Sequence, residues 1–243
     1  MKEAKIFGLS IAAVTMQEAV AAAKRMIENG RPSLIVTANA EMLMRATHDE
    51  ELYRVLEGAD IVVPDGAGTV WAAHTLGYEM PERVAGFDLV QELMRLAPAQ
   101  GWRIYLFGSA PGVAEAAKAE AERLYPGIAI CGVRNGFFTE EDEPEIVAEI
   151  KEAKPHIFLA ALGVPKQEKW LDAHMEEIGA PLSIGVGGTL DVMAGVMKRA
   201  PLWMQKAKLE WLFRGLMQPK RAGRLLALPK FVMKVYAEKA GTK

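Results

Sequence analysis

The chain has 243 residues, 51% hydrophobic and 25% charged, enough to bury a core in one large domain or one domain with an appendage. No apolar run reaches the roughly 18 residues of a membrane-spanning helix, the first residues are not expected to form a secretory signal, and the single cysteine, Cys131, excludes an internal disulfide and suits a reducing cytoplasm. The formal net charge of −2 hides a division, because residues 1–195 hold 17 basic and 29 acidic side chains whereas residues 196–243 hold 12 and 2; such asymmetry points to an anionic partner for the C-terminal part.

Residues 5–9 read as a first strand. Thr15-Met16-Gln17-Glu18 is a capping box for a helix that stops at Asn29-Gly30. A short apolar strand over 33–36 ends in Thr37-Ala38-Asn39, and helices over roughly 41–57 lead to the strand Ile61-Val62-Val63-Pro64, which ends at Asp65-Gly66. Helices are expected over about 69–76 and 88–100, a strand over 103–107, an alanine-rich helix over 113–124 capped by Ser109 or Ala110, a strand over 128–133 and a helix over 142–153. A strand over 157–162, a helix opened by Pro165 and a last strand over 182–186 follow. Cys131 reads as a small buried hydrophobe.

This alternation predicts an α/β fold with an open, mostly parallel, Rossmann-like sheet covered by helices. It stops near Gly195, so residues 1–195 read as the α/β core and residues 196–243 as a basic, amphipathic helical appendage. Pro219 and Pro229 are expected to divide the appendage into about three short helices, and a chain cut near Gly195 is expected to remain folded.

Parallel strands point one way, so the residues just past them converge on a crevice where ligands bind. They are Thr37 and Asn39, Asp65, Gly108 and Ser109, Asn135 to Phe137, Gly163 to Gln167, and Gly187 to Asp191. Glycines let a ligand approach the backbone and helix N-termini offer N–H groups to an anion, so the set suits a nucleotide or phosphate. The P-loop and the G-x-G-x-x-G fingerprint are absent. So is Asp-x-Asp, the usual carboxylate grip on a divalent ion beside a diphosphate. Arginine is the substitute, because its planar fork matches phosphate. Asp65 has three readings at this stage: a general base, a ligand for sugar hydroxyls, or the N-cap of the next helix.

Thr37-x-Asn39, Pro64-Asp65-Gly66, Glu82-Arg83-Val84-x-Gly86, Gly163-x-Pro165-Lys166-Gln167-Glu168, Gly185-Val186-Gly187-Gly188-x-x-Asp191, Arg199-Ala200-Pro201, Glu210-Trp211-Leu212-x-Arg214 and Pro219-x-Arg221-x-x-Arg224 stand in that order. Together they resemble the WecG/TagA/CpsF glycosyltransferases of bacterial surface-polymer synthesis, most of all the wall-teichoic-acid branch. The resemblance implies an inverting, metal-independent transfer, with no cofactor, of N-acetylmannosamine from its UDP donor to undecaprenyl-diphospho-N-acetylglucosamine. By the same resemblance Asp65 is the base, with Thr37 beside it. Asn39, Arg83 and Gln167 bind substrate, and Gly108, Ser109, Gly136, Phe137, Gly187 and Asp191 serve the nucleotide. The appendage closes over the site and brings Arg214, Arg221 and Arg224 to the diphosphate. Departures are mild: Phe137 and Phe213 stand where tyrosine is frequent, Leu190 replaces a phenylalanine and Leu225 a tyrosine.

Read by itself, Gln167 is a sugar ligand or a helix-surface amide. Arg83 holds a phosphate or carboxylate, or pairs with Glu82 or Glu79. Asp191 binds ribose or uracil, or caps the helix after Gly188. The tail's twelve cations and its Trp, Leu and Phe side chains suit an anionic membrane surface, which places the protein in the cytoplasm at the inner face of the membrane. Exposed aromatics there are a reason to form homo-oligomers. Nucleic acid is disfavoured because the acidic body would repel a phosphate backbone. Alternatives are the same chemistry with N-acetylmannosaminuronate or glucose, and a non-catalytic nucleotide-binding module recruited to membranes.

Overall fold

The computed structural model describes residues 1–206, 210, 213 and 227–241. The predicted diphosphate ligands Arg214, Arg221 and Arg224, and the expected break at Pro219, lie outside the described residues.

The elements in chain order are β1 (Glu3–Ile6), β2 (Leu9–Ala12), α1 (Met16–Asn29), β3 (Leu34–Ala38), α2 (Ala40–Ala46), α3 (Glu50–Gly58), β4 (Ile61–Pro64), α4 (Ala67–Thr75), α5 (Gly86–Gln100), β5 (Arg103–Gly108), α6 (Val113–Leu124), β6 (Ala129–Arg134), α7 (Glu143–Ala153), β7 (Ile157–Ala161), α8 (Lys166–Ile178), β8 (Leu182–Gly185), α9 (Thr189–Met193), α10 (Leu202–Lys206) and α11 (Ala227–Gly241). Six of the strands form one parallel sheet in the order β4-β3-β8-β7-β5-β6. From β5 the chain runs outward to β6, whereas from β7 it runs the other way to β8. Loops that part in this manner open a crevice at the carboxyl ends of the strands.

Each strand alternates its side chains between two buried faces. Val36, Val62, Phe107 and Phe158 face a layer made by α2, α3, α4, α7 and α8. Ile35, Val63, Leu106, Leu159 and Ile184 face α1, α5, α6 and α9. This double burial is why the strands read as unbroken apolar runs. Thr15 accepts from the Glu18 N–H in the expected capping box, and α6 spans the residues its alanine-rich pattern predicts. Its N-cap, however, is Gly112, with no side-chain cap, rather than Ser109 or Ala110.

The first strand is, against expectation, an antiparallel hairpin outside the main sheet. Phe7 and Gly8 turn the chain with φ of 53° and 84°, the left-handed pair that a two-residue hairpin turn requires. The C-terminal helix α11 packs against the body. Phe231 and Val235 are 1% and 0% exposed within the core shared with α2 and α4, and both Glu238 carboxylate oxygens accept from the Phe7 N–H at 3.0 and 3.1 Å. Pro229 falls near the start of α11 as described, and the residues before Ala227 lie outside the described residues. Cutting the chain near Gly195 would therefore uncover part of the core.

Candidate functional site

Asp65 stands one residue past β4, its N–H donating to Ala38 O at 2.9 Å. The N-cap of α4 is Gly66, with φ of 100° and no side-chain cap. Only glycine is at ease in that conformation, so the turn from β4 into α4 depends on Gly66, and Asp65 stands one residue before the N-cap position. One strand along the rim, Thr37 is 8% exposed, its hydroxyl 3.4 Å from Gly185 O. A Cβ on Gly86 would lie 3.1 Å from the Thr37 Oγ1 and Cγ2, so the glycine lets α5 start close against it. Asn39 is the N-cap of α2, its Oδ1 accepting from the Met42 N–H at 3.0 Å. Its carboxamide oxygen is thereby committed to the helix.

The other end of the rim is built from backbone. Gly108 has φ of 124°, and a Cβ there would sit 2.4 Å from Ala161 O. A Cβ on Gly136 would lie 3.1 Å from the Gly108 Cα, and the Gly136 N–H donates to Ser109 O at 2.9 Å. These two glycines let the loops after β5, β6 and β7 meet. Ser109 is held in the left-handed region with φ of 58°, sparsely populated for a non-glycine residue. Its hydroxyl lies 3.3 Å from Asp191 Oδ2. Asp191 is in the first turn of α9 and does not cap it. Phe137 is 74% exposed. Asp65 and Ser109 follow β4 and β5, four strand positions apart, or about 19 Å at ~4.8 Å per strand.

Arg83 pairs with neither Glu79 nor Glu82. Its Nη1 donates to Glu210 Oε2 at 2.8 Å, while Glu79 faces Lys2 and Glu82 accepts from the Met16 N–H. Arg199 holds both Asp88 oxygens at 2.6 and 2.8 Å, and its Nε is 3.7 Å from Glu210 Oε1. Through this chain of charges Glu210, from the appendage, is tied to the loop before α5 and to the segment after α9. The side chains are largely withdrawn from water, so the pairs are less screened than surface salt bridges.

Gln167 is neither a surface amide nor open to solvent; it is 2% exposed. Its Oε1 accepts from the N–H groups of Gly163 at 3.1 Å and Gly187 at 3.0 Å, and its Nε2 donates to Glu168 Oε1 at 2.7 Å. It joins the loops after β7 and β8 instead of presenting its amide to the crevice. Glu168, also 2% exposed, was not singled out by the sequence reading. The signal was present: Trp170, Leu171 and Ile178 are spaced as the inward face of α8, and that phase carries residues 167 and 168 inward too.

Burial pushes the Glu168 carboxyl up to about 7, against the opposing pull of the Gln167 hydrogen bond, its own backbone N–H and the charge of Arg45. The unfolded carboxyl ionises near 4.5, so below that pH both states hold the proton and stability is complete. As pH rises towards 7 the unfolded state releases its proton first, and folding loses about 3 kcal/mol. Glu168→Gln removes this titration. Chemical denaturation at pH 4 and pH 8 is expected to show the variant gaining about 3 kcal/mol on the parent across that interval; equal pH dependence in the two proteins would contradict the raised carboxyl.

A family model for the glycosyl transferase WecG/TagA/CpsF family matches residues 4–243. The chain is 34% identical over 240 residues to the N-acetylglucosaminyldiphosphoundecaprenol N-acetyl-beta-D-mannosaminyltransferase of Staphylococcus aureus strain MW2, covering 98% of this chain and 94% of the relative. The protein of the same name from strain MRSA252 is 33% identical, with the same coverage.

Proposed function

The chain belongs to the WecG/TagA/CpsF glycosyltransferase family, and from that premise we propose that it transfers N-acetylmannosamine from UDP-N-acetylmannosamine to undecaprenyl-diphospho-N-acetylglucosamine, with inversion and without a metal ion. The observation that carries the reading is Asp65 one residue past a strand end, on the same rim as Thr37 and the glycine loops, with Gly66 turning the chain into α4 behind it. Inversion requires one in-line displacement. The acceptor hydroxyl attacks the anomeric carbon while its proton passes to a base, and the nucleoside diphosphate departs from the opposite face. Asp65 is the base in this scheme and Thr37 positions the sugar. Asn39 retains an amide N–H for a sugar hydroxyl. Gly108, Ser109, Gly136, Phe137, Gly187 and Asp191 receive the nucleotide at the other end of the rim, with Asp191 accepting from ribose or uracil.

Gln167 contributes by holding two loops in place, and Arg83 by anchoring Glu210 and with it the start of the appendage. Arg214, Arg221 and Arg224 are proposed to neutralise the departing diphosphate. The proposal assigns that charge to arginine because its planar fork matches phosphate. Mass spectrometry of products from a soluble prenyl-diphospho-N-acetylglucosamine analogue, with a panel of UDP-sugars and with or without EDTA, tests the reading. A product gaining N-acetylhexosamine from the mannosamine donor, unaffected by EDTA, is expected. Transfer of another sugar or dependence on metal would overturn the corresponding part.

The acceptor's lipid places the reaction at a membrane, and no described helix is long and apolar enough to cross one. Helix α11 supports peripheral binding because it is apolar on two sides. Phe231 and Val235 face the core, while Val232 and Met233 are exposed on the other side at 37% and 64%; Tyr236, 54% exposed, flanks them with its ring edge-on to Trp71, and Lys230, Lys234 and Lys239 lie on the same helix. An outward apolar stripe edged by lysine suits an anionic headgroup region. Met233→Glu is expected to weaken sedimentation with anionic vesicles about 10- to 10²-fold, since burying one such side chain is worth about 1.5–3 kcal/mol. Unaltered binding would remove α11 from the contact.

A further inference from the structure

We propose that Glu168 is a positioning residue for the transfer reaction. Its carboxyl group accepts from Gln167 Nε2 and so fixes the Gln167 carboxamide in the orientation that clamps the loops after β7 and β8. This rests on the proposed placement of the donor on that rim. A carboxamide has one accepting and one donating end, and the two are easily exchanged by rotation. Here the accepting end is required at the loops, because Oε1 takes the N–H groups of both Gly163 and Gly187. A flipped amide would set an NH2 group against those two donors. What prevents the flip is an acceptor on the far side, and Glu168 Oε1 at 2.7 Å is that acceptor.

The site is also closed around the pair. A Cβ on Gly185 would lie 2.6 Å from Gln167 Nε2 and 3.0 Å from Glu168 Oε1, so β8 passes against the contact with room for glycine alone. Among the described residues, Glu168 Oε2 is buried without a hydrogen-bond partner. A carboxyl left half-satisfied in a core is costly, and a role limited to packing would be filled better by an apolar side chain. Its position beside the clamp gives that cost a purpose. Gly163 and Gly187 carry φ of 80° and 52°, and nothing among the described residues lies within 4 Å of a Cβ at either. The clamp thus sets the spacing of the two loops from one side.

Among the described residues, two cations stand near the pair. Arg45, from α2, is the cation acting on Glu168, and its Nη1 lies 3.5 Å from Val164 O. Lys169, the next residue along α8, is turned to Asp49 and Glu51. In Gln167→Glu two carboxyl groups face each other, and the contact survives only while a proton is shared between them. Adding Glu168→Gln returns an N–H donor to the contact with the direction of the hydrogen bond reversed, while the carboxylate introduced at position 167 would still offer oxygen to both loops.

The test combines a kinetic and a structural readout on the full chain. Glu168→Ala is expected to lower kcat on the order of 10²-fold, as a misplacement near 1 Å does, and to speed hydrogen exchange at the Gly163 and Gly187 amides. Glu168→Gln, which retains an acceptor for Gln167, is expected to recover at least about tenfold of that loss. Gln167→Glu is expected to lose rate as pH rises from 6 to 8, and the Gln167→Glu/Glu168→Gln pair to abolish that dependence. Equal kcat and equal exchange at the two amides in Glu168→Ala and the parent would overturn the proposal, as would a double variant with the pH profile of Gln167→Glu. The exchange measurement needs no substrate. If the parent shows no transfer, the functional reading fails while the amide protection still decides the clamp.

Discussion

Asp65→Asn is expected to lower kcat by about 10²–10⁴-fold, the usual contribution of a positioned general base, while donor affinity stays within about twofold of the parent. Asparagine has the shape of aspartate and can still accept a hydrogen bond, but it cannot take a proton from the attacking hydroxyl. The loss therefore falls on the chemical step and not on binding. The backbone supports so specific an effect. Asp65 N–H is fixed to Ala38 O, Pro64 precedes it in β4, and Gly66 supplies the turn into α4, so the substitution leaves the framework of the strand end in place. Calorimetric titration with UDP-N-acetylmannosamine beside steady-state transfer separates the two quantities. A variant that turns over at the parental rate would remove Asp65 from the role of base.

Phe231→Ala is expected to destabilise the protein by about 3–5 kcal/mol, the range for truncating a buried aromatic. The ring is 1% exposed and meets Phe7 edge-on at a centroid distance of 5.6 Å and Trp71 at 6.3 Å, joining the hairpin, α4 and α11. Its loss leaves a void that these three elements must share. The neighbouring Val232, 37% exposed, should tolerate alanine with a change below about 0.5 kcal/mol. Guanidinium denaturation distinguishes the two. A Phe231→Ala protein as stable as the parent would mean that α11 is separable from the body, as the charge boundary near residue 195 first suggested.

The fold was legible because both faces of the sheet are buried, which writes each strand as an apolar run, and because Thr15 and the alanines of α6 are local signals with local outcomes. The N-terminal hairpin was not legible. Phe7 continues the pattern of a single strand, and only its positive φ reveals the turn. The site divides in the same way. Asp65 and the glycine loops follow from strand ends, which parallel topology brings together. The partnership of Arg83 with Glu210 spans 127 residues and has no local trace. Glu168 and Gln167 were obscured by polarity, since a Lys-Gln-Glu run suggests solvent until the phase of Trp170 and Leu171 turns two of the three inward.

A structure of the protein with UDP-N-acetylmannosamine and an unreactive acceptor analogue addresses the central claim most directly. The account predicts the Asp65 carboxylate within about 2.6–3.2 Å of the acceptor hydroxyl, on the face of the sugar opposite the diphosphate, with arginine from the appendage on the phosphates. A carboxylate turned away from that hydroxyl, or a metal ion bridging the protein to the diphosphate, would contradict it.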